Sequence, residues 1–219
     1  GFMSSRSWIA EAMGVSESDL LSAYRLAADN PLPCHLVQGA PCQEVVHQEF
    51  DVRTLLPVPT HSEHDSGPYI TAGLVIAKNP KTGIQNVSIN RIQVNSKDRM
   101  AVLILPRHLH AFQQAAEEMN QPLPVAVVIG VDPLTLLASQ AIAPIDSDEL
   151  EIAGALHGTP LDVVKCLSND VVVPANAEIV IEGHIPPKVR ELEGPFGEYP
   201  KYYSSQEKRQ IIVVDMVTH

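Results

Sequence analysis

Three short stretches of this 219-residue chain carry residue types that can do chemistry. The first is Asn86-Val-Ser-Ile-Asn-Arg91. On a strand, Asn86, Ser88 and Asn90 share one face while Arg91 points to the other, because successive side chains alternate. Arg is the side chain best shaped to grip a carboxylate or phosphate at two points; an ordinary surface cation is the alternative reading. The second is Pro106-Arg-His108, at the start of a helix that follows a strand. A helix N-terminus favours anions, and a histidine there is suited to metal ligation or, more simply, to a local hydrogen bond. The third is Glu193-Gly-Pro-Phe-Gly-Glu198, followed by Tyr199-Pro-Lys-Tyr-Tyr203. Glycine and proline let this stretch bend, so two carboxylates that would point apart in an extended chain can enter one cleft. Paired carboxylates in a cleft split their affinities for the proton, one ionised and the other a donor. A plain acidic turn is the alternative.

The surrounding patterns indicate what positions these residues. Residues 5–30 have helical spacing; Ser16 or Ser18 can cap a helix through Leu20, Tyr24 and Ala27 that Asn30-Pro31 stops. Prolines between Pro31 and Pro68 disfavour long helices and central strands, leaving short extended pieces such as Glu44–His47. From Tyr69 the texture turns to β, with a strand to Ala77, a turn at Asn79–Gly83, a returning strand over Asn86–Val94 and another from Met100 to Leu105. Pro106 opens a helix with Phe112, Ala116 and Met119 at helical spacing. Leu123–Ile129 is a strand, and Asp132-Pro133 caps a helix over Leu134–Ala141. Asp148-Glu149 begins a helix ending at Gly158, and Asp162–Lys165, Asp170–Val173 and Glu178–Gly183 read as strands. Antiparallel hairpins mixed with helical excursions predict an α+β fold, a β-barrel or split β-barrel of the FMN-binding type with peripheral helices. The expected division is 1–68, an N-terminal helix and proline-rich extended segment, and 69–219, the barrel.

Composition narrows the function classes. With 45% hydrophobic and 19% charged residues the chain can bury a core. No apolar run is long enough to span a membrane, and no secretory signal is visible, so a soluble, cytoplasmic protein is expected. The net charge of −11 disfavours nucleic acid and anionic lipid as partners. Any bound phosphate must then be held by a local device such as a metal ion or a placed Arg. Cys34, Cys42 and Cys166 are odd in number and lack zinc spacing, so free thiols are expected. Gly1-Phe2 before Met3 reads as a tag remnant, and the apolar run Gln210–His219 as a strand that stops without a turn or polar tail although its edge and side chains need partners, hence a fragment.

Taken together, the motifs resemble the UbiD family of prenylated-flavin-dependent (de)carboxylases. The likeness runs from about Pro33 to Tyr203. It is carried by Gly67-Pro-Tyr-Ile70, Asn86…Arg91, Pro106-Arg-His108, Glu149-Leu-Glu-Ile-Ala-Gly154, Val163-Val-Lys-Cys166, Val173-Pro-Ala-Asn-Ala-Glu-Ile-Val180 and Glu193-Gly-Pro-Phe-Gly-Glu198, in that order. The resemblance implies that Asn86, His108 and Glu149 bind a divalent ion, Mn2+ or Mg2+, bridging to the flavin phosphate. Carboxylate, amide oxygen and one imidazole suit such an ion, which also cancels phosphate charge inside an acidic protein. K+ is implied nearby. Prenylated FMN would lie along Ile89, Asn90 and Arg91 and near Leu103, Ile104, Leu105 and Leu109. The family's catalytic network would be Arg91, Glu193 and Glu198: Arg91 paired with Glu193 to orient the substrate carboxylate, Glu198 giving a proton to carbon after CO2 leaves. The cofactor would accept the electrons of the breaking C–C bond.

The implied activity is non-oxidative, reversible decarboxylation of an aromatic or α,β-unsaturated carboxylic acid. Ile104–Leu109 and Val128–Pro133 look most like members acting on hydroxylated aromatic acids. Asn90 stands where many members have an aromatic residue, and Ser88 where many have Gly, which bears on substrate packing. Family members are about twice as long, with a C-terminal domain that closes the pocket and makes a homo-oligomer, and they depend on a flavin prenyltransferase for cofactor. The 219 residues alone are therefore expected to fold but to be inactive. The alternatives are a split-barrel flavin-binding module or subunit without decarboxylase activity, and a purely structural subunit.

Overall fold

A computed structural model describes residues 4–219; the tag reading of Gly1-Phe2-Met3 lies outside them. The chain folds as α+β. Its largest sheet runs β3 (Tyr69–Ile70), β6 (Ile92–Val94), β7 (Arg99–Val102), β13 (Glu207–Thr218), β11 (Ile179–Ile185), β8 (Leu123–Ile129), β4 (Leu74–Lys78), β5 (Gln85–Ile89), with each neighbouring pair antiparallel. A second sheet pairs β1 (His35–Val37), β9 (Asp162–Lys165) and β10 (Val172–Pro174). Of the helices, α4 (His108–Glu118) packs on β4, β5 and β8, while α2 (Leu20–Asp29) lies on α6 (Glu149–His157) and α1 (Arg6–Ala12) on α5 (Pro133–Ala138).

The apolar runs are continuous rather than alternating because the central strands are buried on both faces. Val75, Ala77, Val125 and Val127 face one core with Phe112, Met100, Ile181 and Ile212. Leu74, Ile76, Ala126 and Val128 face a second, shared with Val163, Val164 and Val173 of the smaller sheet. The three cysteines are free thiols, two of them buried there. Among the described residues no helix is long and apolar enough to cross a membrane.

Several expected elements change shape. The Tyr69–Ala77 run breaks into β3 and β4, and Asn86–Val94 into β5 and β6. At each break the chain changes partner: β4 and β5 pair with each other, β3 and β6 with each other. Residues 5–30 form two helices, and Asp19, not Ser16 or Ser18, stands at the N-cap of α2; Ser16 bonds the Asp19 carboxylate instead. Helix α4 begins at His108, two residues after Pro106. Helix α5 stops at Ala138 rather than Ala141, while Asp132 caps it as expected, accepting from Leu134 and Thr135 N–H. Helix α6 is bounded by Asp148 and left-handed Gly158, as the sequence indicates. The short helix α3 (Val52–Leu55), β1 and β12 (Arg190–Glu193) carry no clear periodic signal and were not expected.

The terminal strand β13 is not short of partners. It pairs with β11, β12, β7 and with β2 (Val46–His47), all within this chain. Its twelve residues are long enough to be paired by successive short strands.

Candidate active site

Asn90 and Arg91 sit where the chain leaves β4's edge and turns to join β7. The Leu103 carbonyl accepts from Asn90 Nδ2 at 3.0 Å, Asn90 Oδ1 accepts from Ser88 at 2.9 Å, and Leu103 N–H donates to the Arg91 carbonyl at 3.2 Å. The break aims the Arg91 side chain at the end of β12. There Glu193, fully buried, accepts Arg91 Nε at 2.9 Å on Oε1 and Nη2 at 2.8 Å on Oε2. This is the two-point geometry that makes Arg–carboxylate pairs strong.

The bend expected between the two glutamates forms. Gly194 has φ +89°, the left-handed region, and a Cβ there would lie 2.7 Å from the Ser205 carbonyl, so only glycine fits. The following Gly194-Pro195 peptide is cis. The chain then returns through a bridge between Gly197 and Tyr203, with Glu198 N–H donating to the Tyr202 carbonyl at 2.8 Å. Glu198 thereby meets Arg91 Nη1 from the cleft side. Ser204 Oγ accepts from Arg91 Nη2 and Phe196 N–H, and the Phe196 ring lies 5.2 Å from the guanidinium carbon. Burial works against the Arg91 charge, but the bonds and charge of Glu193, with the charge of Glu198, outweigh it and raise its pKa.

Asn86, His108 and Glu149 come from β5, α4 and α6. Asn86 Oδ1 lies 3.0 Å from His108 Nδ1, and Glu149 Oε2 accepts Val87 N–H at 2.7 Å, next to Asn86 in the chain. Burial pushes the Glu149 carboxyl up to about 7 against that backbone bond, and Asp148 up to about 6. Asn86 is itself buried, and its Nδ2 has no partner. An orphaned buried amide atom is costly. Turning the amide over would bring an oxygen to that position and keep the contact with His108, so the trio fits a hard divalent cation. No three His, Cys, Asp or Glu cluster as ion ligands among the described residues; the candidate set depends on the amide.

These residues line one open cleft of about 910 Å³, the size of a cofactor site. Asn86, Ile89, Asn90, Arg91, Leu103, Leu105, His108, Leu109, Glu149 and Glu198 all border it, joined by the loop Ser139–Ala143 and Tyr202. Two expected residues do not. Ile104 turns into the main core, so only its neighbours Leu103 and Leu105 face the cleft. Glu193 stands behind Arg91, with no exposed surface. Sequence reasoning missed buried Tyr69, whose hydroxyl lies 3.1 Å from Glu193 Oε1, buried Gln93 beside that hydroxyl, and Ser204, which accepts from Arg91.

Over residues 35–219 the chain matches the 3-octaprenyl-4-hydroxybenzoate carboxy-lyase Rift-related domain of the UbiD family. The chain belongs to the UbiD family. This UbiD chain is 38% identical over 215 residues to the anhydromevalonate phosphate decarboxylase of Methanothermobacter thermautotrophicus, covering 98% of itself and 50% of that protein. Its structure is similar, with TM-score 0.95 and 51% identity, to an evolved dimeric form of the UbiD-class enzyme HmfF from Pelotomaculum thermopropionicum in complex with prFMN, covering 98% of this chain and 51% of that one. It is also similar to the apo 3,4-dihydroxybenzoic acid decarboxylase of Klebsiella pneumoniae, with TM-score 0.91 and 33% identity, over 100% of this chain and 49% of that one. The UbiD chain therefore spans about half the length of these relatives.

Proposed function

We propose that the chain is the flavin-binding part of a prenylated-FMN-dependent decarboxylase acting on an aromatic, hydroxybenzoate-type or α,β-unsaturated carboxylic acid. The observation that carries this reading is Arg91 bound at two points by buried Glu193 and met from the cleft side by Glu198. In this reading residues 69–219 are the cofactor-binding unit, and 1–68 an N-terminal helix and proline-rich extended segment whose β1 and β2 pair with β9 and β13. We read the large sheet as a split barrel, a reading supported by its path: β3 and β5 end the hydrogen-bonded order, while the chain runs directly from β3 into β4 and from β5 into β6.

Asn86, His108 and Glu149 would hold Mn2+ or Mg2+, with K+ nearby, and the ion would cancel the flavin phosphate charge in this acidic protein. Bound prenylated FMN supplies a centre that accepts the electron pair released as the C–C bond breaks. Arg91 borders the cleft and has one Nη1 hydrogen not taken by Glu193, Ser204 or Glu198; in this reading that donor orients the substrate carboxylate. The reaction consumes one proton, RCO2− + H+ giving RH + CO2. In this reading Glu198 delivers it, supported by a side chain that is 32% exposed against 0% for Glu193. The whole protein would be a cytoplasmic homo-oligomer supplied with cofactor by a flavin prenyltransferase.

The test is CO2 release by the full-length protein, co-expressed with a prenyltransferase, from a panel of aromatic and α,β-unsaturated acids. No release at full cofactor loading refutes the decarboxylase reading and leaves a flavin-binding module.

A further inference from the structure

The segment Gly67-Pro-Tyr-Ile70 has no part in the chemistry above, yet it brings Tyr69 directly behind Glu193. Tyr69 has no exposed surface and pairs across the sheet with Gln93. Its hydroxyl lies 3.1 Å from Glu193 Oε1, 3.0 Å from Gln93 Oε1 and 3.1 Å from Ser66 Oγ, and it accepts Gly194 N–H at 3.1 Å. The phenol has one hydrogen to give. Burial pushes its pKa up to about 12, so it remains a donor near neutral pH. Gln93 Oε1 already accepts Gly194 N–H at 3.0 Å, and a carboxylate is the stronger acceptor; the hydrogen goes to Glu193. The Tyr69 ring meanwhile sits 4.6 Å from the Phe196 ring, which in turn faces the guanidinium.

We propose that Tyr69 is a positioning residue for this site: its hydroxyl holds Glu193 Oε1, the oxygen that receives Arg91 Nε, and so fixes the rotation of the guanidinium relative to Glu198. Without that bond Glu193 can turn about its last torsion, and Arg91 loses one of its two parallel bonds. Tyr69 does not border the cleft, so its effect passes through Glu193 and Arg91. The catalytic consequence rests on the decarboxylase reading; the positioning does not.

Tyr69→Phe removes the hydroxyl and keeps the ring against Phe196. Two measurements on the full-length, flavin-loaded protein separate the possibilities. Modification of Arg91 by phenylglyoxal, followed by peptide mass spectrometry, should proceed at least about tenfold faster in Tyr69→Phe than in the parent, the scale of one hydrogen bond to a charged group. Turnover should fall by a similar factor in kcat/KM, with unchanged flavin content. Gln93→Met leaves the hydroxyl with Glu193 as its acceptor, and Arg91 should then react at the parent's rate. An unchanged Arg91 rate in Tyr69→Phe overturns the proposal. So does acceleration of Arg91 modification in Gln93→Met relative to the parent, which assigns the effect to packing and is measurable whether or not Tyr69→Phe folds. If the parent releases no CO2 from any acid while Tyr69→Phe still speeds Arg91 modification, the decarboxylase reading fails and the positioning stands.

Discussion

Arg91 is the residue on which the site turns, and its geometry distinguishes it from a lysine. It bonds Glu193 with two nitrogens and Glu198 with the third. A lysine ammonium is a point charge that cannot reproduce this fork. Arg91→Lys in the full-length protein is expected to lower CO2 release by about a hundredfold or more, the cost of a misplaced reacting group, with bound flavin retained. Arg91→Ala additionally leaves fully buried Glu193 without its partner, and urea denaturation should show a loss of about 3–5 kcal/mol. Substitutions across the cleft should separate two functions. Glu198→Gln is expected to abolish turnover while absorbance still reports bound flavin, whereas Asn86→Ala and Glu149→Gln should lose flavin and metal first. Equal flavin loss in all three would make Glu198 a structural residue.

The elements that carry these residues depend on a few local devices whose loss is measurable. Helix α5, which leads into the cleft loop Ser139–Ala143, is held at its start by Asp132. Burial alone would raise the Asp132 carboxyl, but bonds from Thr135 and Leu134 and the His157 partner hold it below the usual carboxylate range. A depressed carboxyl contributes stability that is complete above the ordinary Asp range and lost as pH falls through its folded-state value. Asp132→Ala should therefore cost about 1–2 kcal/mol at pH 7 by chemical denaturation, and the gap between parent and variant should start to narrow only once pH falls below the ordinary Asp value of 3.8, closing through the still lower folded-state value. Asp132→Asn, also a good cap, should lose less. In the sheet, β11 and β13 approach so closely at Gly183 that a Cβ would lie 2.2 Å from the Val213 carbonyl, where the register shifts. Gly183→Ala must spread the two central strands, and a loss of about 1–3 kcal/mol is expected in the same measurement.

At the scale of the molecule, the cleft is open and its surroundings are apolar. Ile142 is 96% exposed, Leu105 57% and Tyr202 60%, all bordering the cleft, and Tyr199 nearby is 98% exposed. Contiguous exposed apolar residues mark an interaction face or an association hazard. Expressed by itself, the 219-residue chain is expected to fold, to self-associate with rising concentration in analytical ultracentrifugation, and to release no CO2. An open cleft lets water screen the Arg91 pair and compete for its donors. Turnover comparable to the full-length protein would show that the cleft needs no cover.

What the sequence determined by itself were features that depend on neighbours along the chain. The Asp132-Pro133 and Asp148…Gly158 helix ends are legible because a cap bonds N–H groups two or three residues away. Leu123–Ile129 is legible because a strand buried on both faces must be apolar throughout. The residue types of the site were legible too, since few side chains can grip a carboxylate or a hard cation. Only the tertiary structure decided what depends on long-range pairing. It broke two apparent strands at Gly73 and at Asn90–Arg91, where the chain exchanges one partner for another, and nothing local distinguishes such a crossing from a continuous strand. It paired β13 from within the chain, turned Ile104 away from the cleft and set Tyr69 behind Glu193, 124 residues apart. The hydroxyl of a buried tyrosine must find some acceptor, but only the packing of β3, β6 and the Gly194 bend selects which one.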